Sequence, residues 1–428
     1  MSEQGADAPQ EPSKLQRDVL WNLVPVALLA IVGLGLNFVI AGWWGSTTLG
    51  VFNLVTMAVF NLAIIGAGGL QFAVLRAVAA APADRDQVAA VVVGALVPNL
   101  GLALVATAAC VALRHPLGAL VGSPEVAVGL LWAAPGVFAF SINKVLFGVV
   151  NGLGRMRAFA AYTSLRYLLI AASLGLARAV SLPGAHLAAV WTVTEGVLLL
   201  VLTGELLTTV ALRRGRAWLL HARAHLRYGV RSVTATLAQE INSKLDVWML
   251  GVALPESQVG VYALASTLYE GALQIPVVLQ NNINPHLARH LTAQEPAQAE
   301  ALVRRTRRWF VPAAFAVAAV SAALYPFVVP KLVGDPVFVQ ATWPFAILMA
   351  GAALASPNLP FVSLLLMAGR PGWHTWYVLA SVAIAFIADL ALIPVLGATG
   401  VALGTAIGLV ASTVLLSALA RARLGLRI

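Results

Sequence analysis

Residues 126–150 read VAVGLLWAAPGVFAFSINKVLFGVV, in which Lys144 is the only charged side chain. A helix of about 20 apolar residues is long enough to cross the hydrocarbon core of a bilayer. Similar apolar runs recur along the chain and predict an all-α, polytopic membrane protein with about twelve transmembrane helices. The predicted spans are residues 19–43, 50–75, 88–113, 126–150, 158–178, 185–211, 229–252, 258–281, 308–330, 340–367, 372–395 and 398–420.

The composition excludes most other classes of protein. The 428 residues are 60% hydrophobic and 10% charged, with a mean hydropathy of +0.88. Soluble proteins carry about 25% charged residues, so an ordinary soluble enzyme, a disordered protein and a nucleic-acid-binding domain are excluded. The single cysteine, Cys110, allows neither an internal disulfide nor a cysteine-based metal site.

The distribution of Lys and Arg predicts the orientation. Of the 27 basic residues, 21 fall on one side of the predicted spans, three on the other side and three within spans. Cytoplasmic loops are enriched in Lys and Arg. We therefore expect a multi-pass protein of the bacterial inner (plasma) membrane with both termini in the cytoplasm. The net charge of +10 then reflects topology and attraction to anionic membrane lipid rather than a nucleic-acid partner.

A weak internal repeat indicates two halves of six spans. Gly50-Val51-Phe52 opens the second span, and Gly260-Val261-Tyr262 opens the eighth. Two halves of the same orientation are typical of secondary transporters, in which the substrate cavity lies between them. The sequence predicts a disordered cytoplasmic N-terminus (1–18), an N-terminal six-helix lobe (19–211), a basic cytoplasmic linker (212–228), a C-terminal six-helix lobe (229–420) and a basic cytoplasmic tail (421–428).

Two basic side chains lie inside predicted spans of the first half. At 1.5 Å per residue, Arg166 is about 13 Å and Lys144 about 10 Å from the cytoplasmic edge. Buried charges are costly and mark functional sites by default. A guanidinium in a cavity can bind a phosphate or pyrophosphate in a bidentate manner, whereas Lys144 could also extend to the interface.

Oxygen-bearing side chains lie at one depth in the second half. Asp246, Asp389 and Thr405 are each about 10 Å from the outer edge of their spans. Hard cations prefer such oxygen ligands, and either carboxylate could instead carry a proton. Equal depth does not establish that the three side chains face one another.

Further embedded acids offer partners for the basic side chains. Glu240 and Lys244 are four residues apart on one helix face and can form a structural ion pair. Glu195 and Glu270 lie deep in their spans and could pair with Arg166 or Lys244, but the sequence does not assign these pairs.

Several motifs resemble those of a known family. They are Gly66-Ala67-Gly68-Gly69-Leu70 followed by Arg76, Asn151-Gly152-Leu153-Gly154-Arg155, and Asp246 with Gly251 before Gly260-Val261-Tyr262. Over residues 15–420 the chain resembles the polysaccharide transport family. These proteins are the O-antigen and capsule flippases of the multidrug/oligosaccharidyl-lipid/polysaccharide (MOP) exporter superfamily.

The resemblance implies a V-shaped, MATE-like pair of six-helix bundles. It also implies export of a polyprenyl-pyrophosphate-linked oligosaccharide from the inner to the outer leaflet by alternating access, for cell-surface polysaccharide such as lipopolysaccharide. Such a protein is a secondary-type transporter rather than an enzyme and needs no cofactor. The candidates for its basic cavity or the cytoplasmic mouth are Arg17, Arg76, Lys144, Arg166 and Lys244.

The related lipid II flippases imply a sodium site in the second half. Asp246, Asp389 and Thr405 match its side-chain ligands, and Val401 matches the residue that supplies a backbone carbonyl. Ala385 stands where the family pattern has an Asn ligand. Sodium coupling, proton coupling and no coupling therefore stay open.

Other functions compete with the flippase. A multidrug antiporter of the same superfamily would favour an acidic first half, whereas Lys144 and Arg166 favour an anionic substrate. A membrane polymerase or glycosyltransferase would need a polar catalytic loop, and none is visible in the sequence. A non-transporting component that docks a polysaccharide polymerase or glycosyltransferases remains a third interpretation. The expected partners of the flippase are lipid-linked oligosaccharide and membrane lipid.

Overall fold

The computed structural model describes residues 14–80, 85–210 and 218–426, and its side chains are described except for residues 14–30, 34, 231–245, 285, 292 and 371. Within these ranges the chain folds into α-helices joined by short turns and 3-10 segments, which confirms the all-α prediction. The helices are α1 Lys14–Ala67, α2 Leu70–Ala80, α3 Arg85–Leu120, α4 Pro124–Gly152, α5 Met156–Ala179, α6 Ala189–Thr209, α7 Trp218–Ala253, α8 Glu256–Thr292, α9 Pro296–Val333, α10 Thr342–Ala355, α11 Leu364–Met367, α12 Pro371–Leu396 and α13 Ala398–Leu424.

The protein crosses the membrane many times. Nine stretches of the described residues are long and apolar enough to span a bilayer. One of them, Ile31–Ala67, covers parts of the first two predicted spans. α7 and α8 also match predicted spans, but polar and charged residues interrupt their apolar runs. Ile31–Ala67 corresponds to two predicted spans, and α7 and α8 correspond to two more. With these additions, the nine stretches agree with the twelve predicted spans.

Helix α1 contains the first two predicted spans with a break between them. Gly45 adopts a φ of 85° and a ψ of 174°, which is outside the helical region. A positive φ of this kind is strained for side chains other than glycine. The second span was predicted to continue to residue 75, but α1 ends at Ala67, and Gly68 and Gly69 both have positive φ before α2 begins.

Several predicted loops and ends prove to be helical. Residues 14–18 were predicted to be disordered, but they begin α1. The predicted linker 212–228 is helical from Trp218 onward, and the predicted loop 282–307 forms the end of α8 and the start of α9. These segments are rich in Ala, Leu and Arg, which favour helix even outside the membrane.

The tenth predicted span, 340–367, is not one helix. It is divided among a 3-10 segment, α10, a second 3-10 segment (Leu359–Phe361) and α11. Pro357 and Pro360 lack an N–H donor and disfavour helix in the residue before them. Arg307 stabilises the break, because its Nε donates to the carbonyl oxygen of Pro357 at 2.7 Å and its Nη2 donates to Asn358 Oδ1.

The helices form two packing units, which alternate along the chain. The first unit comprises residues up to Gly35, Ala58–Leu113 and Leu130–Ala238. The second comprises Leu36–Met57, Arg114–Gly129 and Gln239–Ile428. Two segments of the N-terminal half therefore pack with the C-terminal half, so these units differ from the predicted lobes 19–211 and 229–420. The lobes and the V-shaped arrangement stay predictions.

Within the second unit, α1 and α8 approach each other at the two glycines of the internal repeat. A Cβ atom at Gly50 would overlap the carbonyl oxygen of Glu256, and a Cβ at Gly260 would overlap that of Ser46. A Cβ at Gly260 would also lie 2.8 Å from the Gly50 nitrogen. The neighbouring atoms are backbone and cannot rotate away, so only glycine fits at this crossing.

We expect Gly260→Ala to lower the free energy of unfolding by about 2 kcal/mol or more, because it overpacks a backbone contact. The readout is the apparent melting temperature of the purified protein in detergent. Gly175→Ala in α5 is the matched control, since a Cβ there meets no atom within 4 Å. Equal melting temperatures for the two variants would contradict the close approach.

Candidate functional site

The second unit contains an open cavity of about 700 Å³ that is lined by both polar and apolar side chains. Three carboxylates line it: Asp246 from α7, Glu270 from α8 and Asp389 from α12. A cluster of acids inside a membrane protein is expensive and marks a functional site by default. Other polar lining residues are Ser266, Tyr269, Gln274, Ser363, His374, Tyr377, Ser381, Thr405 and Ser412.

Two hydrogen bonds hold the carboxylate of Asp246 at this cavity. Tyr262 is fully buried, and its hydroxyl donates to Asp246 Oδ2 at 2.9 Å. The Val247 amide donates to the other carboxylate oxygen, Oδ1, at 2.8 Å. Asp246 is therefore held in one orientation. Thr405 lines the same cavity as Asp246.

Asp389 also lines this cavity. It is 3% exposed and packs against Gly404, where a Cβ would overlap its Oδ1 atom. Its carboxylate is close enough to Asp246 for the two negative charges to repel each other. Among the described residues, Oδ1 has no hydrogen-bond partner. A cation or a proton shared by the two carboxylates would relieve both the repulsion and the unmet hydrogen-bonding capacity.

The structure brings together most of the side chains predicted for the coupling site. Asp246, Asp389 and Thr405, which the sequence placed at one depth, line one cavity. Val401 is fully buried on α13, one turn before Thr405. Ala385 also lines the cavity, so the place of the family's Asn ligand carries only a methyl group.

Sequence reasoning did not place Glu270 or Tyr262 at this site. Glu270 was read as an embedded acid with an unassigned basic partner, but it lines the same cavity as Asp246 and Asp389. Tyr262 was noticed only as part of a repeat. Its position 16 residues after Asp246, across the α7–α8 turn, was the available signal.

The first unit contains a buried ion pair at Arg166. Its Nη2 donates to Glu195 Oε2 at 3.0 Å, and its Nε lies 2.8 Å from Glu195 Oε1. Asn143 Nδ2 donates to the same Oε2 at 2.8 Å and to the Glu195 carbonyl at 2.9 Å. Glu195 is completely buried, so this network assigns the partner that the sequence left open.

Aromatic rings and a second cation surround Arg166. Its guanidinium carbon lies 4.8 Å from the ring centroid of Phe140 and 5.0 Å from that of Phe147. Lys144 Nζ lies 4.9 Å from the Phe140 centroid. Among the described residues, two basic side chains and one carboxylate therefore share this part of the unit, and such basic side chains can bind an anionic ligand. Stacking on rings also fixes the orientation of the guanidinium.

The other predicted cavity residues are less well defined. Arg76 is exposed on α2, near the end of that helix. Arg17, Glu240 and Lys244 were also predicted site residues, but their side chains lie outside the described part of the structure. Their roles, including the proposed Glu240–Lys244 pair, stay predictions.

A comparison with family models decides the family. A model described as polysaccharide biosynthesis protein matches residues 15–284, which is well over half of the chain. The chain belongs to the polysaccharide biosynthesis protein family. The matched range of this polysaccharide biosynthesis protein includes Arg166, Glu195, Asp246 and Glu270. No curated protein matches the sequence.

Solved structures show the fold of this polysaccharide biosynthesis protein. A multidrug resistance MATE family transporter of the MOP superfamily, in an inward-facing conformation, matches with a TM-score of 0.78 and 17% identity over 95% of this chain and 98% of that one. The lipid II flippase MurJ, in an inward closed conformation, matches with a TM-score of 0.71 and 12% identity over 93% and 86%. A point mutant of the Vibrio cholerae MATE transporter VcmN matches with a TM-score of 0.59 and 14% identity over 95% and 97%.

These likenesses confirm the predicted fold, which is that of the MATE transporters and of MurJ. The family match covers the first two thirds of the chain, and the structural matches cover nearly all of it. At these identities the solved structures define the fold alone. The chain is thus a multi-pass membrane protein with the fold of the MATE and MurJ transporters.

Proposed function

We propose that this chain is a flippase that moves a polyprenyl-pyrophosphate-linked oligosaccharide from the inner to the outer leaflet by alternating access. Its product serves cell-surface polysaccharide synthesis, and its setting is the bacterial inner membrane with both termini in the cytoplasm. One observation carries the proposal: a chain of the polysaccharide biosynthesis protein family has the fold of MOP transporters throughout. In polysaccharide synthesis, the molecule that a protein with a transporter fold would move across the membrane is the lipid-linked intermediate.

The charges of the first unit support an anionic substrate. Arg166 and Lys144 both lie over the ring of Phe140, and Arg166 forms an ion pair with Glu195. A pyrophosphate can accept hydrogen bonds from a guanidinium edge that Glu195 does not occupy. Lys144, on the same aromatic ring, adds a mobile point charge for the second phosphate.

The second unit supports coupling to a monovalent cation. Asp246, Asp389 and Thr405 present oxygen atoms to one cavity. Sodium would need further oxygen ligands, and Ala385 supplies none. A proton needs only one of the two carboxylates, so the absence of the Asn ligand favours a proton over sodium as the coupling ion.

The test is translocation in proteoliposomes that contain the purified protein. One arm follows a fluorescent polyprenyl-pyrophosphate oligosaccharide, and a second arm follows a cationic dye. Each arm is run with a proton gradient, with a sodium gradient and with neither. We expect protein-dependent movement of the lipid-linked sugar, faster with a proton gradient than with sodium. Movement of the dye alone would overturn the flippase and indicate a multidrug antiporter.

A matched variant shows whether the movement depends on the site. Arg155 pairs with Glu205 in the same unit as Arg166, but its side chain is 41% exposed. Exposed pairs contribute little to stability. We expect Arg155→Ala to keep most of the lipid-linked sugar movement, which makes it the reference for variants of the buried pair.

A further inference from the structure

One face of α12 lines the cavity of the second unit over most of its length. His374, Tyr377, Ser381, Ala385 and Asp389 follow one another at three- or four-residue intervals and all line the cavity. Residues at this spacing share one face of a helix. At 1.5 Å per residue, the stripe runs about 22 Å from His374 to Asp389. The cavity is therefore an elongated passage rather than a compact pocket.

The helices opposite this stripe present polar groups to the same space. α8 contributes Ser266, Glu270 and Gln274 at four-residue intervals, and α13 contributes Thr405 and Ser412 at a seven-residue interval. Apolar side chains such as Leu273, Val277 and Val382 lie between these polar groups. The three polar stripes give water or a cation hydrogen-bonding and ligand positions along the cavity.

Burial changes from one end of this passage to the other. At the carboxylate end, Asp389 is 3% exposed and Tyr262 is fully buried. Toward the other end, Gln274 is exposed, and Val277 and Val378 are 43% and 38% exposed. The lining is thus more exposed at Gln274, Val277 and Val378, in the half of the passage toward His374, than at Asp389.

The charge pattern assigns the His374 end to the cytoplasm. Arg370 immediately precedes α12, and it belongs to the side of the protein that carries 21 of the 27 basic residues. His374 lies one turn after Arg370. Asp389 is four turns farther along the helix, toward the outer side.

We infer that this cavity is a cytoplasmic access path through which the coupling cation, as a proton or a hydrated monovalent ion, reaches the Asp246–Asp389 pair. The path lies within the second unit alone, with His374 at its mouth and Ser381 and Ser412 along its wall. This inference rests on the proposed coupling function. It adds a route by which the cation reaches the two acids.

Cysteine accessibility tests the path directly, because the natural chain has one cysteine and that residue is buried. In a Cys110→Ala background, Ser381→Cys places a thiol midway along the passage. Leu379→Cys is the matched control on the same turn of α12, since Leu379 is 61% exposed and does not line the cavity. The probe is a membrane-impermeant cationic methanethiosulfonate, applied to vesicles of either orientation.

We expect Ser381→Cys to react when the probe meets the cytoplasmic face and to be at least about tenfold slower from the outer face. Leu379→Cys, in lipid, should stay unreacted from both sides. Total reactive thiol is measured after unfolding in detergent. Reaction of Ser381→Cys from the outer face alone, or from neither face while the unfolded protein reacts, would overturn the path.

Ser412→Cys on α13 is the second variant, and it serves if Ser381→Cys does not fold. The accessibility readout needs neither substrate nor ion gradient, so it is independent of transport. If the thiol reacts from the cytoplasmic face but export does not depend on an ion gradient, the access path is supported and the coupling function is contradicted. If export depends on an ion gradient but the thiols in the passage do not react, the coupling function is supported and the access path is contradicted.

Discussion

Asp246→Asn and Asp389→Asn are each expected to remove the dependence of export on an ion gradient, with a loss in the driven rate of about tenfold or more. Both carboxylates line one cavity, where their negative charges repel each other and Asp246 accepts a hydrogen bond from Tyr262. A proton can bind to either acid, but the negative charge of the other acid strengthens that binding, so both are needed for coupling. An amide cannot take up a proton, and it attracts a cation only weakly.

The double variant shows whether Asp246 and Asp389 form one cation site or act at two separate sites. If the acids act together, Asp246→Asn combined with Asp389→Asn should lose little more than either single variant. Multiplied losses would mean that the acids have separate roles. Asp335→Asn is the matched control, because Asp335 belongs to the same unit but accepts from the Val337 amide at the start of a 3-10 segment. It should retain the ion dependence.

Arg166→Ala is expected to abolish export, and Arg166→Lys to restore part of it. Two causes would give this result, since the change removes the proposed phosphate ligand and also leaves Glu195 buried without its cation. Breaking a buried pair in this way costs about 3–5 kcal/mol of stability. Melting temperature and protein level in the membrane must therefore be measured together with translocation.

The combined variant Arg166→Ala with Glu195→Gln distinguishes these causes. It removes both charges, and Asn143 can still bond the glutamine side chain at position 195. We expect the stability to recover relative to Arg166→Ala while export stays lost, because no guanidinium remains for the pyrophosphate. Normal export by this double variant would show that Arg166 serves only to neutralise Glu195. Arg155→Ala again supplies the reference level.

The sequence predicted how deep a side chain lies in the membrane better than it predicted which side of its helix the side chain faces. Counting residues from span edges placed Asp246, Asp389 and Thr405 at one level, and the structure brings them to one cavity. Pairing of Arg166 with Glu195 joins two helices, α5 and α6, whose rotation about their own axes depends on packing. That rotation is not encoded in the spacing of residues within either helix.

Local chemistry also decided which boundaries were predictable. Gly45 interrupts α1 where the sequence places a loop between two apolar runs. The tenth span looked continuous because hydropathy gives little weight to Pro357 and Pro360. The side chain that stabilises the resulting break, Arg307, comes from another helix. Helical extensions such as the start of α7 were missed because the charge pattern that indicates a cytoplasmic position does not distinguish loop from helix.

The Arg166–Glu195 pair also has a consequence for the synthesis of the protein. A helix that carries an unneutralised guanidinium at membrane depth is disfavoured by about 3 kcal/mol when it enters the bilayer alone. α5 carries the arginine, and the compensating carboxylate arrives only with α6, the next helix to leave the ribosome. The two helices therefore enter the lipid most favourably as a hairpin, with α5 retained at the insertion machinery until α6 is made.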